Sequence, residues 1–152
     1  MKTCCFTGHR NIPASEKDNI DKNLYETIDN LADEGCAEFI SGGARGFDTL
    51  AAIAVLAVKK RRPEIKLRLI LPCSDQAALW NERDKALYRR ILMEADFSEV
   101  LHQTYTKGCM HERNRKMIDS SDVCVAYLKR NFGGTKFTVD YAIRKNKKVV
   151  YI

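Results

Sequence analysis

The sequence predicts an α/β fold: a Rossmann-like three-layer sandwich, with a mainly parallel sheet of about six strands and helices on both faces. Three observations point there. Short apolar runs alternate with segments of helical periodicity, as strands joined by crossover helices do. Two glycine turns, Gly42-Gly43-Ala44-Arg45-Gly46 and Gly133-Gly134-Thr135, each stand between such a strand and such a helix. With 152 residues, 45% apolar and 30% charged, the chain suits one domain, residues 1–152, able to bury a proper core. No linker, repeat or low-complexity segment divides it.

Lys2 to Thr7 forms the first strand, ending in Thr7-Gly8-His9-Arg10. Pro13 and the box Ser15-Glu16-Lys17-Asp18 start a helix whose apolar positions Ile20, Leu24, Ile28 and Leu31 keep one face, with an end near Gly35. Ala37 to Ser41 is the second strand. The helix from Phe47 to Val58 is apolar throughout after Asp48 and Thr49. Such a helix needs cover on both sides, and in a chain this small a second subunit supplies it, so a homodimer through helix 47–58 is expected. Lys66 to Leu71 is the third strand, stopped by Pro72. The next helix holds Trp80, Leu87, Tyr88, Ile91 and Leu92, a spacing that gives Trp80 a core role. Ser98 to Leu101 is the fourth strand, Met110 to Asp119 a helix and Val123 to Tyr127 the fifth strand. After a basic loop and the second glycine turn come a helix from Lys136 and a sixth strand, Lys148 to Ile152.

Composition narrows the function classes. No apolar run reaches the roughly 18 residues a membrane span needs, and the chain enters a strand directly, so neither an anchor nor a signal peptide is expected. Of six cysteines, Cys4, Cys5, Cys73 and Cys124 fall in or beside strands and none forms C-x-x-C. They read as reduced core thiols of a cytoplasmic protein. Cys109-Met110-His111, the only close Cys/His pair, lacks partners at metal-binding spacing, so no metal is expected. The formal charge of +6 favours anionic partners. Part of it sits in Lys59 to Arg62 and Lys145 to Lys148, at helix C-termini where cations complement the dipole, so charge alone does not establish nucleic-acid binding.

Ligands of open α/β sheets bind outside the C-terminal ends of the strands. The candidates there are Thr7, Gly8, His9 and Arg10; Gly42, Gly43, Ala44, Arg45 and Asp48; Gln76; and Gly133, Gly134 and Thr135. Neither glycine turn matches G-x-G-x-x-G or the Walker pattern, so an anion cradle is expected rather than a standard dinucleotide or NTPase site. Arg113, on the helix preceding the fifth strand, is placed to fork onto phosphate, and Asp48 to meet a ribose hydroxyl. His111 is either an acid/base group or a surface residue.

Five segments resemble the YpsA-like family of the SLOG superfamily: Thr7-Gly8-His9-Arg10, Gly42 to Asp48, Pro72 to Trp80, Arg113 to Asp122, and Gly133 to Ala142. The resemblance spans nearly the whole chain and implies binding or sensing of a nucleotide-derived ligand of the ADP-ribose, NAD or nucleoside monophosphate type. Met110-His111-Glu112-Arg113 followed by Gly133-Gly134-Thr135 is also similar to the Lonely Guy phosphoribohydrolases. That similarity implies a hydrolase using Arg113, with Asp48 as the available carboxylate, because Thr138 stands where those enzymes place a catalytic glutamate. Cleavage of an N-glycosidic bond passes through a cationic state that a hydroxyl cannot neutralise. The turn from Gly42 to Asp48 is similar to one in DNA-processing protein A, which implies a third function, single-stranded nucleic-acid binding through basic and aromatic residues.

Overall fold

Strands covered on both faces become continuous apolar runs, and the chain has such runs where its sheet is central. In the computed structural model, which describes residues 2–152, these are β1 (Lys2–Gly8) and β5 (Val123–Tyr127). They are joined in one six-stranded sheet by β2 (Cys36–Ser41), β3 (Lys66–Leu71), β4 (Phe97–Val100) and β6 (Lys148–Tyr151). The order is β4-β3-β2-β1-β5-β6 and every pairing is parallel. The outer strands β4 and β6 are short and partly exposed, as edges should be.

Five helices connect them: α1 (Lys17–Asp33), α2 (Phe47–Lys59), α3 (Glu82–Glu94), α4 (Cys109–Asp119) and α5 (Gly134–Arg144). The chain steps outward from β1 to β4, then returns beside β1 for β5 and β6. Right-handed crossovers therefore put α1, α2 and α3 on one face and α4 and α5 on the other. Contacts of α1 and α3 with α2, and of α4 with α5, follow this division. The larger core centres on Phe6, Phe39, Phe47, Leu24 and Leu69; the smaller holds Cys5, Ile40, Ile70, Met117, Ile118 and Cys124. All six cysteines are buried and free. Among the described residues no helix is long and apolar enough to cross a membrane, and no group of three or more His, Cys, Asp or Glu is placed to hold a metal ion.

Two local expectations are corrected, and the cover of α2 is refined. The Ser15 box does not cap α1: Glu16 donates its N–H to Pro13 O, and this tight turn leads into the helix at Lys17 without a side-chain cap. Trp80 packs against the larger core as expected but is outside α3, because Asn81 accepts the Asp84 N–H at 2.8 Å and caps the helix after it. The cover that the sequence assigns to a second subunit comes largely from α1 and α3, which with the sheet bury Phe47, Ala51, Ala52, Ala54, Val55 and Val58. Ile53 is the α2 hydrophobe left exposed. The basic run is committed too: Lys59 pairs with Asp96, Arg61 with Asp29, and Arg62 with Asp29 and Asp33.

Candidate ligand-binding site

The sheet order reverses between β1 and β5, so the loops leaving these two strands part and open a crevice. Two glycines fix its floor. A Cβ on Gly8 would lie 2.5 Å from Phe47 Cβ, so glycine lets the start of α2 pack against the end of β1. Gly46, at φ 78°, would drive a Cβ into the Arg10 backbone, 2.6 Å from its Cα. The Phe47 N–H donates to His9 O at 3.0 Å and locks the two loops together.

Behind this floor lie two buried ionisable side chains, Asp48 and Arg113. Ser41 Oγ donates to Asp48 O at 3.0 Å and accepts the Gly43 N–H at 3.2 Å; Asp48 Oδ2 accepts the Ala44 N–H at 3.3 Å. Arg113, 3% exposed, donates through Nη1 to Gly42 O and through Nε to Asn114 Oδ1 at 2.8 Å. Arg113 and Asp48 converge on Gly42, where a Cβ would sit 2.6 Å from Arg113 Nη1 and 2.9 Å from Asp48 Oδ2. Burial pushes the Asp48 carboxyl up to about 6, against the pull of Arg113 and of the Ala44 N–H. Burial likewise lowers the Arg113 pKa, opposed by Asp48.

The opposite wall is the start of α5. Gly133 has φ 94°, and a Cβ added to it or to Gly134 would meet no atom within 4 Å, so this turn is open. The first N–H groups of a helix lack internal acceptors and attract anions. Thr138 Oγ1 donates to Gly134 O at 2.8 Å, so its hydroxyl is spent within the helix. Asp140 is also committed, to Lys136 Nζ at 2.7 Å. Beside the turn, His9 is buried and its Nε2 accepts the Lys129 N–H at 2.8 Å. That bond assigns the proton of the neutral ring to Nδ1, which faces Arg130 Nη2 at 3.2 Å. Burial, and then the Arg130 charge, lower the His9 pKa.

These walls enclose a cavity of about 440 Å³. Of the residues singled out in the sequence, Thr7, Gly8, His9, Arg10, Ala44, Asp48, Arg113, Gly134 and Thr135 line it, as does the exposed His111, which packs edge-on against Phe137. Gly42 and Gly43 do not. They are buried, and glycine is required at Gly42 by Arg113 and Asp48 from inside the protein, not by a ligand. Gly133, the residue before Gly134, is not part of the cavity lining. Arg45 and Gln76 face a separate recess with Trp80. Sequence reasoning missed Asn11, Tyr105, Gly108, Met110, Asn114 and Arg130 as lining residues. Arg130 carried a usable signal, being a cation just before the open glycine turn; Tyr105 carried none at a strand end.

A family model described as the YspA SLOG family, YpsA, matches residues 4–152. The chain belongs to this family. It is 30% identical over 129 residues to a UPF0398 protein of Brevibacillus brevis, covering 83% of this chain and 69% of that one. Among solved structures, DNA processing protein A from Streptococcus pneumoniae superposes with a TM-score of 0.71 at 17% identity, over 99% of this chain and 50% of that one. DNA processing protein A from Helicobacter pylori, a structure described for its single-stranded DNA binding mode, gives a TM-score of 0.68 at 21% identity, over 99% and 64%. The chain thus spans half to about two thirds of these two proteins, and the likeness is one of fold.

Proposed function

We propose that the switch-point cavity binds a phosphorylated, nucleotide-derived ligand of the ADP-ribose, NAD or nucleoside monophosphate type. Its phosphate would accept from the N–H groups of Gly134 and Thr135 and from Arg10 and Arg130, with a ribose hydroxyl toward Asp48. The observation that carries this reading is the open α5 N-terminus facing His9 Nδ1 and Arg130 in one cavity with the buried Arg113 and Asp48. Calorimetry with ADP-ribose, NAD and AMP tests it. Saturable binding is expected to at least one of them. Gly134→Ala is expected to weaken it about tenfold, because a methyl at the open turn keeps phosphate from the N–H groups. Since that Cβ meets nothing, the melting temperature should stay within a few degrees. No heat with any of the three sinks the reading.

A second function, phosphoribohydrolase action on a nucleoside 5'-monophosphate through Arg113 and Asp48, is favoured by one fact: a carboxyl at about 6 exchanges a proton near neutral pH. Water would add to the anomeric carbon as the C–N bond breaks, and the leaving base would take the proton. Adenine released from AMP, and lost in Asp48→Asn, would establish it. Single-stranded nucleic-acid binding has less support. Lys59, Arg61 and Arg62 of the basic run are tied up in ion pairs, and Tyr127, in the strand beside the cavity, is buried under Phe47. A homodimer through helix 47–58 would use the strip that α1 and α3 leave open, Ile53, Leu56, Ala57 and Leu87. Sedimentation should then report twice 17.4 kDa, falling to the monomer in Ile53→Glu.

A further inference from the structure

Arg10 belongs to more than one cavity. Beyond the switch-point crevice, across the β2–α2 turn, lies a second hollow of about 590 Å³ between the β1–α1 loop, the start of α2 and α3. A small recess lined by Arg10, Ala44, Arg45, Gln76 and Trp80 sits between the two. Both large hollows fall within the range of about 300–1,000 Å³ usual for small-molecule sites. Arg10 lines all three, and Asn11 lines both large ones.

The second hollow differs in chemistry from the first. Its walls include Ile12, Leu50 and Leu87, and its distinctive group is Trp80, held edge-on against Tyr88 with ring centroids 5.2 Å apart. Arg45 Cζ lies over the Trp80 ring, 5.2 Å from its centroid, and covers one face of the indole. Asn81 caps α3 just after Trp80, so the indole projects from a turn at the rim of the core rather than from a helix within it. The hollow is mixed in character, with Arg10, Lys17, Arg45 and Asp84 among its walls, and a flat heteroaromatic ring would stack on the guanidinium–indole pair that Arg45 and Trp80 form. In the small recess, Gln76 Oε1 is buried with no hydrogen-bond partner among the described residues, an acceptor without a donor.

We infer that the Trp80–Arg45 hollow is a stacking subsite for a nucleobase, so that the ligand is a two-part molecule. Its phosphorylated ribose occupies the switch-point cavity, and its heteroaromatic ring lies on Trp80, with Arg10 between them. This rests on the phosphate-binding function proposed above and narrows its ligand class to the ADP-ribose and NAD type, setting aside nucleoside monophosphates. A donor on the ligand near the small recess would satisfy Gln76 Oε1.

Trp80 is the only tryptophan in the chain, so its emission reports on this hollow alone. The test titrates the protein with ribose 5-phosphate, adenosine and ADP-ribose, following Trp80 fluorescence and calorimetric heat together. ADP-ribose is expected to change the emission saturably and to bind about tenfold more tightly than ribose 5-phosphate, which should leave the emission unaltered. Trp80→Leu should erase that advantage while keeping ribose 5-phosphate affinity, which also shows that the variant is folded. Arg45→Ala, an exposed position, should act in the same direction. If ribose 5-phosphate binds and ADP-ribose binds no better, or better but equally well in Trp80→Leu, the stacking subsite is overturned and the phosphate site stands. If ribose 5-phosphate fails while adenosine quenches Trp80, the subsite stands and the phosphate site falls. If nothing binds, both fall.

Discussion

Asp48→Asn is expected to stabilise the protein at neutral and alkaline pH and to leave it unchanged in acid. The folded state holds the Asp48 proton up to about 6, whereas the unfolded chain releases it near 3.8. Between those values the folded state binds more protons, so stability from this group is full below the lower value and is lost as pH rises through the upper one. Above it, the ionised carboxylate costs on the order of 3 kcal/mol. Asparagine removes that charge and can still accept the Ala44 N–H. The pull of Arg113 is already contained in the value of about 6, so the gain is at most on the order of 3 kcal/mol, or several degrees in melting temperature. Thermal melts of parent and variant from about pH 4 to pH 8 check it. A difference independent of pH would show that Asp48 is ionised throughout. A group that weakens the fold at neutral pH while lining a cavity is accounted for by what it does for a ligand.

Gly46→Ala is expected to be the most damaging single-methyl change in the chain, with a loss of about 3 kcal/mol or more. Two costs add. Gly46 has φ 78°, which L side chains rarely adopt, and its Cβ would strike the backbone of Arg10, which no rotamer change can move aside. The same step would separate the β1–α1 loop from the β2–α2 turn and so pull apart the two cavities that Arg10 joins. Urea denaturation of Gly46→Ala beside Gly134→Ala checks the contrast, with Gly134→Ala staying near the parent. Equal stabilities in the two variants would contradict the division of the glycines into packed and open.

That division marks where the sequence stops being informative. The parallel sheet is legible because strands buried on both faces leave continuous apolar runs, such as Val123 to Tyr127. The strand edge is legible because glycine turns follow β2 and β5. A glycine that excludes a Cβ because a neighbour fills the space looks the same in sequence as one that leaves room for a ligand. Gly42 is the first kind, set by Arg113 from a helix 71 residues away, and Gly134 is the second. Trp80 misleads for a similar reason. Its spacing with Leu87 and Ile91 is helical, but Asn81 caps the helix one residue later, and capping outweighs periodicity at a helix end. The all-apolar α2 is legible as a helix needing two covers, yet the second cover lies mostly within the chain, in α1 and α3.

A crystal structure of the protein soaked with ADP-ribose decides the phosphate site. Phosphate density is expected at the open turn, within hydrogen-bond reach of the Gly134 and Thr135 N–H groups and flanked by Arg130 and Arg10. An empty turn in a crystal that binds the ligand elsewhere would overturn the phosphate site.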